Sequence, residues 1–347
     1  MRSEGRNNMT GRIEHKQLVE SVLKEKLKNY PSWVGEYYYS LTNNTHASKE
    51  TYIIRICVFL DHYFQNHEKG NESLRQVTGV DVNRFLDDMK NEHLQKTGKE
   101  LAKTTISLQI SCLASFFNFL VTQGYIPESP MVKAVKRPKS LQQKPIVYLE
   151  KSEIRKVLQN IDKGVGSEKA IATQKKWKNR DKLLVLFPLI TGMRVTALDE
   201  INLEDIDFIA GTVKVIEKRE KQREFDISGL MEILEAWLED REQILEGMEM
   251  DALFISKAKG GYKRLSVRAI NQIVQRYTTG INKHISPHKL RATYGTQFYR
   301  QTRDIYLTAE MMGHNSTNTT ARYVVADKRV KEAESKKYAE KITKLME

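Results

Sequence analysis

This 347-residue chain has only two cysteines, Cys57 and Cys112, seven prolines, and no apolar run approaching eighteen residues. Two thiols set among apolar residues exclude a disulfide scaffold and argue against a cysteine metal centre; buried, reduced thiols are expected. Without a long apolar run no membrane span is expected. The amino terminus is polar and lacks the apolar core of a signal peptide, so the protein is expected in the cytoplasm. No Gly-x-x-x-x-Gly-Lys-Ser/Thr loop occurs, which removes the usual nucleotide cradle. Internal repeats and low-complexity tracts are absent too.

What is present is charge. Fifty-seven lysines and arginines against 44 acidic residues give a net charge of +13 and a pI near 9.4. Such an excess favours a polyanionic partner, nucleic acid first, because each cation on a phosphate releases condensed counterions. A surface kept basic for solubility gives the same number. The chain is long enough for two domains, each with its own core, and its 40% hydrophobic content is that of a globular protein.

The first half reads as helices. Gln17 to Leu27 has apolar residues at helical spacing, and a second segment follows Pro31. Ser48 is placed to cap a helix from Lys49 to Phe64, and Asp81 one from Val82 to about Leu94. Leu101 to Val121 carries the clearest apolar stripe: Ile106, Ile110, Leu113, Phe116, Phe117 and Leu120. Its other face offers Lys103, Thr104, Ser107, Ser111 and Ser115, side chains that suit a DNA groove but also any solvated helix face. Pro127, Pro130, Pro138 and Pro145 then follow within a short span, with Lys133, Lys136, Arg137, Lys139 and Lys144 between them. No helix crosses such a spacing, so 129–145 reads as an extended basic linker. Lys103, Thr104, Ser107, Lys136, Arg137 and Lys139 are the candidate DNA-binding residues.

The second half opens with a helix from Glu150 to Ile161, then a polar patch from Lys163 to Asn179, then an apolar run from Leu183 to Ile190. Short β-like segments follow at Ile206–Ile209, Thr212–Ile216 and Glu224–Ile227. Helices return at Gly229–Leu245 and Ser266–Thr278. The expected class is therefore mainly α with one small antiparallel sheet, in two domains: 12–128 helical, 129–145 linker, 146–325 the larger domain, and 326–347 a terminal tail helix.

Three groups of residues have chemical potential. Arg194 follows the apolar run and the pair Thr191-Gly192; a guanidinium there needs a partner, which a structural salt bridge or a phosphate would equally supply. His288 and Arg291 follow Pro287, which suits the first turn of a helix, and at one turn apart they leave the same face. His284 and His288 have metal-like spacing, but Pro287 interrupts the helix and no further ligands stand nearby, so no metal is expected. Tyr323, one of 15 tyrosines, is distinguished by its place nine residues after Gly313-His314.

Taken in order, Thr191-Gly192-Met193-Arg194, His288-Lys289-Leu290-Arg291, Gly313-His314 and Tyr323 resemble the motifs of the tyrosine recombinase, or phage integrase, family. Arg180-Asp181-Lys182 is similar to the family as well, as are Leu253-Phe254-Ile255-Ser256, Gly260-Gly261 and Arg264-Leu265-Ser266. In the first half, Thr104 to Val121 and Gly124-Tyr125-Ile126-Pro127 resemble the family's core-binding, SAM-like domain. The resemblance spans the whole chain, and several ordered motifs together are far more specific than any one.

The resemblance implies that Arg194 and Arg291 clamp a phosphate, that His288 and His314 are active-site histidines, and that Tyr323 is the nucleophile. It implies a catalytic lysine on a β-hairpin, matched here by Lys218 with Lys221 as rival. It implies a clamp around duplex DNA carrying paired recombination sites, a tetramer, a Holliday junction, and no cofactor, ATP or metal. Accessory DNA-bending proteins are a partner class it allows; a membrane is not. The tail implies docking on a neighbouring protomer through Val330, Ala333, Tyr338, Ile342 and Leu345. The family usually has a carboxylate three residues after the first arginine; here that residue is Ala197, for which Glu200 is a candidate substitute. A beginning so close to the helical domain favours a simple recombinase or mobile-element enzyme over a large phage-type integrase. The rivals are a type IB topoisomerase and a DNA-binding regulator with a relic site.

These residue types suit the chemistry. A tyrosine hydroxyl, with a pKa of about 10, is a weak nucleophile near neutrality. Cationic donors around the non-bridging phosphate oxygens offset the charge of a pentavalent transition state, and one such donor is worth roughly 10²–10³ in rate.

Overall fold

The computed structural model describes residues 21, 23–131, 135–136, 138, 146–217, 221–314, 317, 320–321, 323, 335–336 and 338–340. The chain divides into two compact units, Met1–Leu141 and Gln142–Glu347.

The first unit is helical: α1 (Ser32–Ser40), α2 (His46–Tyr63), α3 (Asn71–Arg75), α4 (Gly79–Thr97) and α5 (Lys103–Thr122). Its core gathers Trp33, Tyr37, Phe59, Phe85, Phe116 and Phe117. Two helix starts differ from the sequence expectation. Thr45, not Ser48, caps α2, its hydroxyl accepting from the Ser48 N–H at 3.3 Å. Thr78 caps α4, and Asp81 sits three residues in, returning a bond to the Thr78 N–H at 2.9 Å. Both candidate caps lie one turn inside the helix, where a short polar side chain reaches back to the true cap.

Helix α5 requires an amendment: by length and composition it is apolar enough to span a bilayer. Yet Ile106, Ile110, Leu113, Phe116, Phe117 and Leu120 are all buried in the unit's core, which explains the apolar character without a bilayer. Cys57 and Cys112 are free and buried, and burial pushes the Cys112 thiol up to about 11 despite the nearby charge of Arg55.

The second unit is built around α8 (Lys178–Thr191), which follows α6 (Lys151–Lys163) and α7 (Glu168–Lys175). Helix α7, capped by Ser167, occupies what reads in sequence as a polar patch, because its eight residues offer no apolar stripe. Leu183, Leu184, Val185 and Phe187 of α8 are buried together with Trp237 and Phe254. A short helix, α9 (Val195–Leu198), precedes a three-stranded antiparallel sheet of β1 (Ile206–Asp207), β2 (Thr212–Glu217) and β3 (Lys221–Asp226). In β2 and β3 the register pairs Val213 with Phe225 and Val215 with Arg223. After α10 (Met231–Leu245) comes a second hairpin, β4 (Ile255–Ala258) with β5 (Gly261–Arg264). One sheet is expected from the sequence and two are present among the described residues; buried Leu253, Phe254 and Ile255 form a continuous apolar run without strand alternation. Further helices are α11 (Val267–Tyr277), α12 (Pro287–Thr302) and α13 (Ile305–Met311).

A buried pair braces α8. Arg180 donates to Asp181 through Nε at 2.9 Å and Nη2 at 2.6 Å, Tyr277 Oη donates to Asp181 at 2.8 Å, and Arg180 Nη1 donates to the Ile255 carbonyl. Every charge is matched, as burial demands.

Candidate active site

The site is assembled on α12 and on the end of α13. Pro287 begins α12, and His288, Arg291 and Gly295 follow at one-turn intervals along one face. His288 is exposed, whereas Arg291 is buried. Helix α13 ends in a Schellman turn: Gly313 adopts φ +57°, its N–H donates to the Glu310 carbonyl, and the His314 N–H donates to Ala309. A glycine suits that left-handed position, and the turn leads the chain straight into His314.

Three arginines from three elements converge on this turn. Arg194, the residue before α9, donates through Nη2 to the Gly313 carbonyl at 3.2 Å. Arg291 donates through Nη2 to Met312 and through Nη1 to Gly192, the left-handed residue that ends α8. Arg223 of β3 donates through Nη2 to Met311 at 3.0 Å and to Glu310 at 3.3 Å. Four consecutive carbonyls, 310 to 313, thus accept from guanidinium groups. A helix C-terminus presents carbonyls without helical partners and carries partial negative charge, so it attracts cations. Ala197 is buried, and among the acceptors of Arg194 is the carbonyl of Gly313.

Tyr323 is buried, 5% exposed, in a small cluster with Ala292 and Met312, against which Ile146, Tyr294 and Tyr299 pack. Its ring lies parallel to that of His314, with centroids 6.2 Å apart and planes 6° from parallel. His314 Nδ1 shares a 2.9 Å hydrogen bond with Thr320 Oγ1, which orients the imidazole. The hydroxyl-bearing end of Tyr323 approaches α12 closely: a Cβ at Gly295 would stand 2.9 Å from its Cζ. Because Gly295 is one turn beyond Arg291, the phenol end lies along the face that carries Arg291 and His288.

Of the expected site residues, Arg194, Arg291, His314 and Tyr323 are brought together by these contacts, and His288 stands on the same helix face. Lys218 lies outside the described residues; Lys221 begins β3, and its side chain is not described. In the first unit Lys103 and Thr104 are exposed at the start of α5. Ser111 Oγ donates to its own helix at Ser107 O, and Ser115 accepts from Tyr37 Oη at 2.8 Å, so these two are engaged within the unit. Lys136 is exposed, while Arg137 and Lys139 lie outside the described residues. Of the tail's proposed docking residues, Tyr338 is exposed, and Val330, Ala333, Ile342 and Leu345 are outside them. Among the described residues no group of three or more His, Cys, Asp or Glu is disposed to hold a metal.

Sequence reasoning missed Arg223, Thr320, Gly295 and the receiving carbonyls. Arg223 is one of several charges in a hairpin, and a backbone acceptor has no side chain to read. Tyr294 was also unmarked; burial pushes its phenol up, against the pull of the Arg223 and Arg291 charges.

Residues 148–329 match the phage integrase family, and residues 35–124 match the phage integrase N-terminal SAM-like domain. The tyrosine recombinase XerC of Oceanobacillus iheyensis is 32% identical over 261 residues, 74% of this chain and 78% of that protein. Among solved structures, the XerH site-specific recombinase bound to palindromic difH substrate, a post-cleavage complex, has a TM-score of 0.66. It is 22% identical, with 92% of this chain and 88% of that one covered. A lambda integrase tetramer bound to a Holliday junction has a TM-score of 0.59 at 17% identity, covering 84% and 76%. These two likenesses are of fold. Over both halves of its length, and with its arginines, histidine and tyrosine gathered at one turn, the chain belongs to the phage integrase family of tyrosine recombinases.

Proposed function

We propose that this protein is a site-specific DNA recombinase that cleaves and rejoins strands through Tyr323. The observation that carries the reading is the placement of the Tyr323 phenol end at Gly295, on the Arg291 face of α12, beside a turn to which Arg194 and Arg291 are both tied. In the proposed step Tyr323 Oη attacks the scissile phosphorus, a P–O bond to tyrosine forms, and the P–O5′ bond breaks. One proton leaves the phenol and one reaches the departing 5′-oxygen, so the step is balanced without ATP or metal. Arg194, Arg291, His288 and His314 stabilise the charge on phosphorus, and the hairpin lysine, Lys218 or its rival Lys221, is the general acid. The 3′-phosphotyrosyl product stores the bond energy for rejoining.

A Holliday-junction intermediate and a tetramer joined through the 326–347 tail belong to this reading, as does duplex DNA held by the 12–128 domain, the 129–145 linker and the 146–325 domain. The solved XerH and lambda integrase complexes with DNA support it by fold. The biological setting is integration, excision or transposition of a mobile element, or resolution of replicon multimers, in the cytoplasm. A nicked suicide substrate tests the reaction: wild-type protein forms a covalent adduct, and Tyr323→Phe binds the DNA without forming one. An adduct with the phenylalanine variant would remove Tyr323 as nucleophile. Cleavage without preference for a paired-repeat site would favour the topoisomerase reading.

A further inference from the structure

We propose that Arg223 is a positioning residue that fixes the β2–β3 hairpin, and so the general acid that this stretch of chain carries, against the end of α13; the inference rests on the recombinase reading above. Arg223 lies on the inward side of β3 with Phe225, between exposed Gln222 and Glu224, and faces Val215 across the ladder. Its guanidinium spans two neighbouring carbonyls, Met311 at 3.0 Å and Glu310 at 3.3 Å, and rests over the Phe225 ring at 4.7 Å. Phe225 is buried, so the ring supports the guanidinium from the core side.

Ladder bonds between β2 and β3 set one strand against the other; they do not set the pair against α12 and α13. Arg223 makes such a link, and it does so on the carbonyls adjoining those held by Arg291 and Arg194. The last described pair of the ladder is Glu217 with Lys221, and residues 218–220 lie between them in the sequence. A general acid must come within hydrogen-bond reach of its proton acceptor, and a displacement of about 1 Å costs up to about 10² in rate. A tie two residues from the start of β3 therefore controls where the lysine stands when the 5′-oxygen departs. Both bonds come from Nη2 while the guanidinium lies over the Phe225 ring, a combination that an ammonium on a flexible stem does not reproduce with the same geometry.

The test uses the full-length protein and single-turnover cleavage of a nicked suicide substrate, in two forms. One carries the ordinary 5′-oxygen at the scissile phosphate; the other carries a 5′-bridging sulfur, a leaving group that needs no proton. Arg223→Ala is expected to cleave the oxygen substrate about 10²-fold more slowly and the sulfur substrate within a few-fold of wild type. Arg223→Lys falls between, and DNA affinity is unchanged for both. Arg223→Gln, which keeps length and hydrogen bonding without charge, serves if the alanine variant unfolds. In a Lys218→Ala background the Arg223 substitution adds no further loss on the oxygen substrate. Equal losses on both substrates, or no loss on either, would overturn the proposal by assigning Arg223 to the phosphate or to the fold alone. Failure of the wild type to form a Tyr323 adduct would instead overturn the recombinase reading itself.

Discussion

Substituting alanine for Gly192 should damage both stability and cleavage, through two separable causes. Gly192 ends α8 at φ +66°, a left-handed conformation that costs an L-residue roughly 1–2 kcal/mol. A Cβ there would also stand 2.4 Å from Cδ1 and 2.8 Å from Cε1 of Tyr294. That ring is stacked on Phe298, with centroids 5.5 Å apart, so it cannot swing aside freely. Overpacking of this kind costs about 1–3 kcal/mol. Together the two come to about 2–5 kcal/mol, or a fall in Tm of about 4–20 °C for a unit of this size. The Gly192 carbonyl accepts from Arg291, so displacing it loosens a residue proposed to clamp the phosphate, and suicide-substrate cleavage should fall as well. Thermal unfolding of Gly192→Ala, Tyr294→Ala and the double variant separates the causes. If the clash is real, the double variant loses about 1–3 kcal/mol less than the two single losses added together. Strict additivity, or a Gly192→Ala variant within about 0.5 kcal/mol of wild type, would refute the reasoning.

Three further outcomes are expected. Tyr277→Phe removes the 2.8 Å bond to buried Asp181; hydrogen bonds to charged groups are worth about 1.5–3 kcal/mol, so Tm should drop by about 3–12 °C, read by calorimetry, with DNA affinity retained. Burial alone would raise the Glu150 carboxyl, but hydrogen bonds from Arg300 and Tyr148 and the charges of Arg300 and Lys283 outweigh it and hold it below its ordinary 4.5. Its contribution to stability is therefore complete above about 4.5 and lost as pH falls below that value, so urea midpoints should decline less steeply on acidification in Glu150→Gln. Thr320→Val, which removes the partner of His314 Nδ1, should slow adduct formation while leaving DNA binding intact, measured in the same suicide assay.

Several of the longer helices were legible because their apolar residues recur at helical spacing. The stripe on α5 and the run that became α8 are examples, and both are buried as that pattern requires. Helix α7 and the β4–β5 hairpin were not legible: one has no apolar face, and the other is entered through a fully buried run without alternation. The misplaced caps at Ser48 and Asp81 show that a short polar residue near a helix start serves as cap or as its partner, and only the backbone path distinguishes them.

Residue types and spacing in the sequence marked Arg194, His288, Arg291 and Tyr323 as candidates, and it was the ordered motifs, Gly313-His314 among them, that carried the family resemblance implying their roles. What holds them together is not written there. Acceptors for Arg194, Arg291 and Arg223 include the carbonyls at the end of α13 and the Gly192 carbonyl, and a carbonyl belongs to every residue alike. Which carbonyls are left without helical partners depends on where the helix stops, and which cations reach them depends on how β3, α9 and α12 pack around it. The tertiary structure therefore decided that a helix end receives these cations, because only packing brings residues 194, 223 and 291 to the same turn.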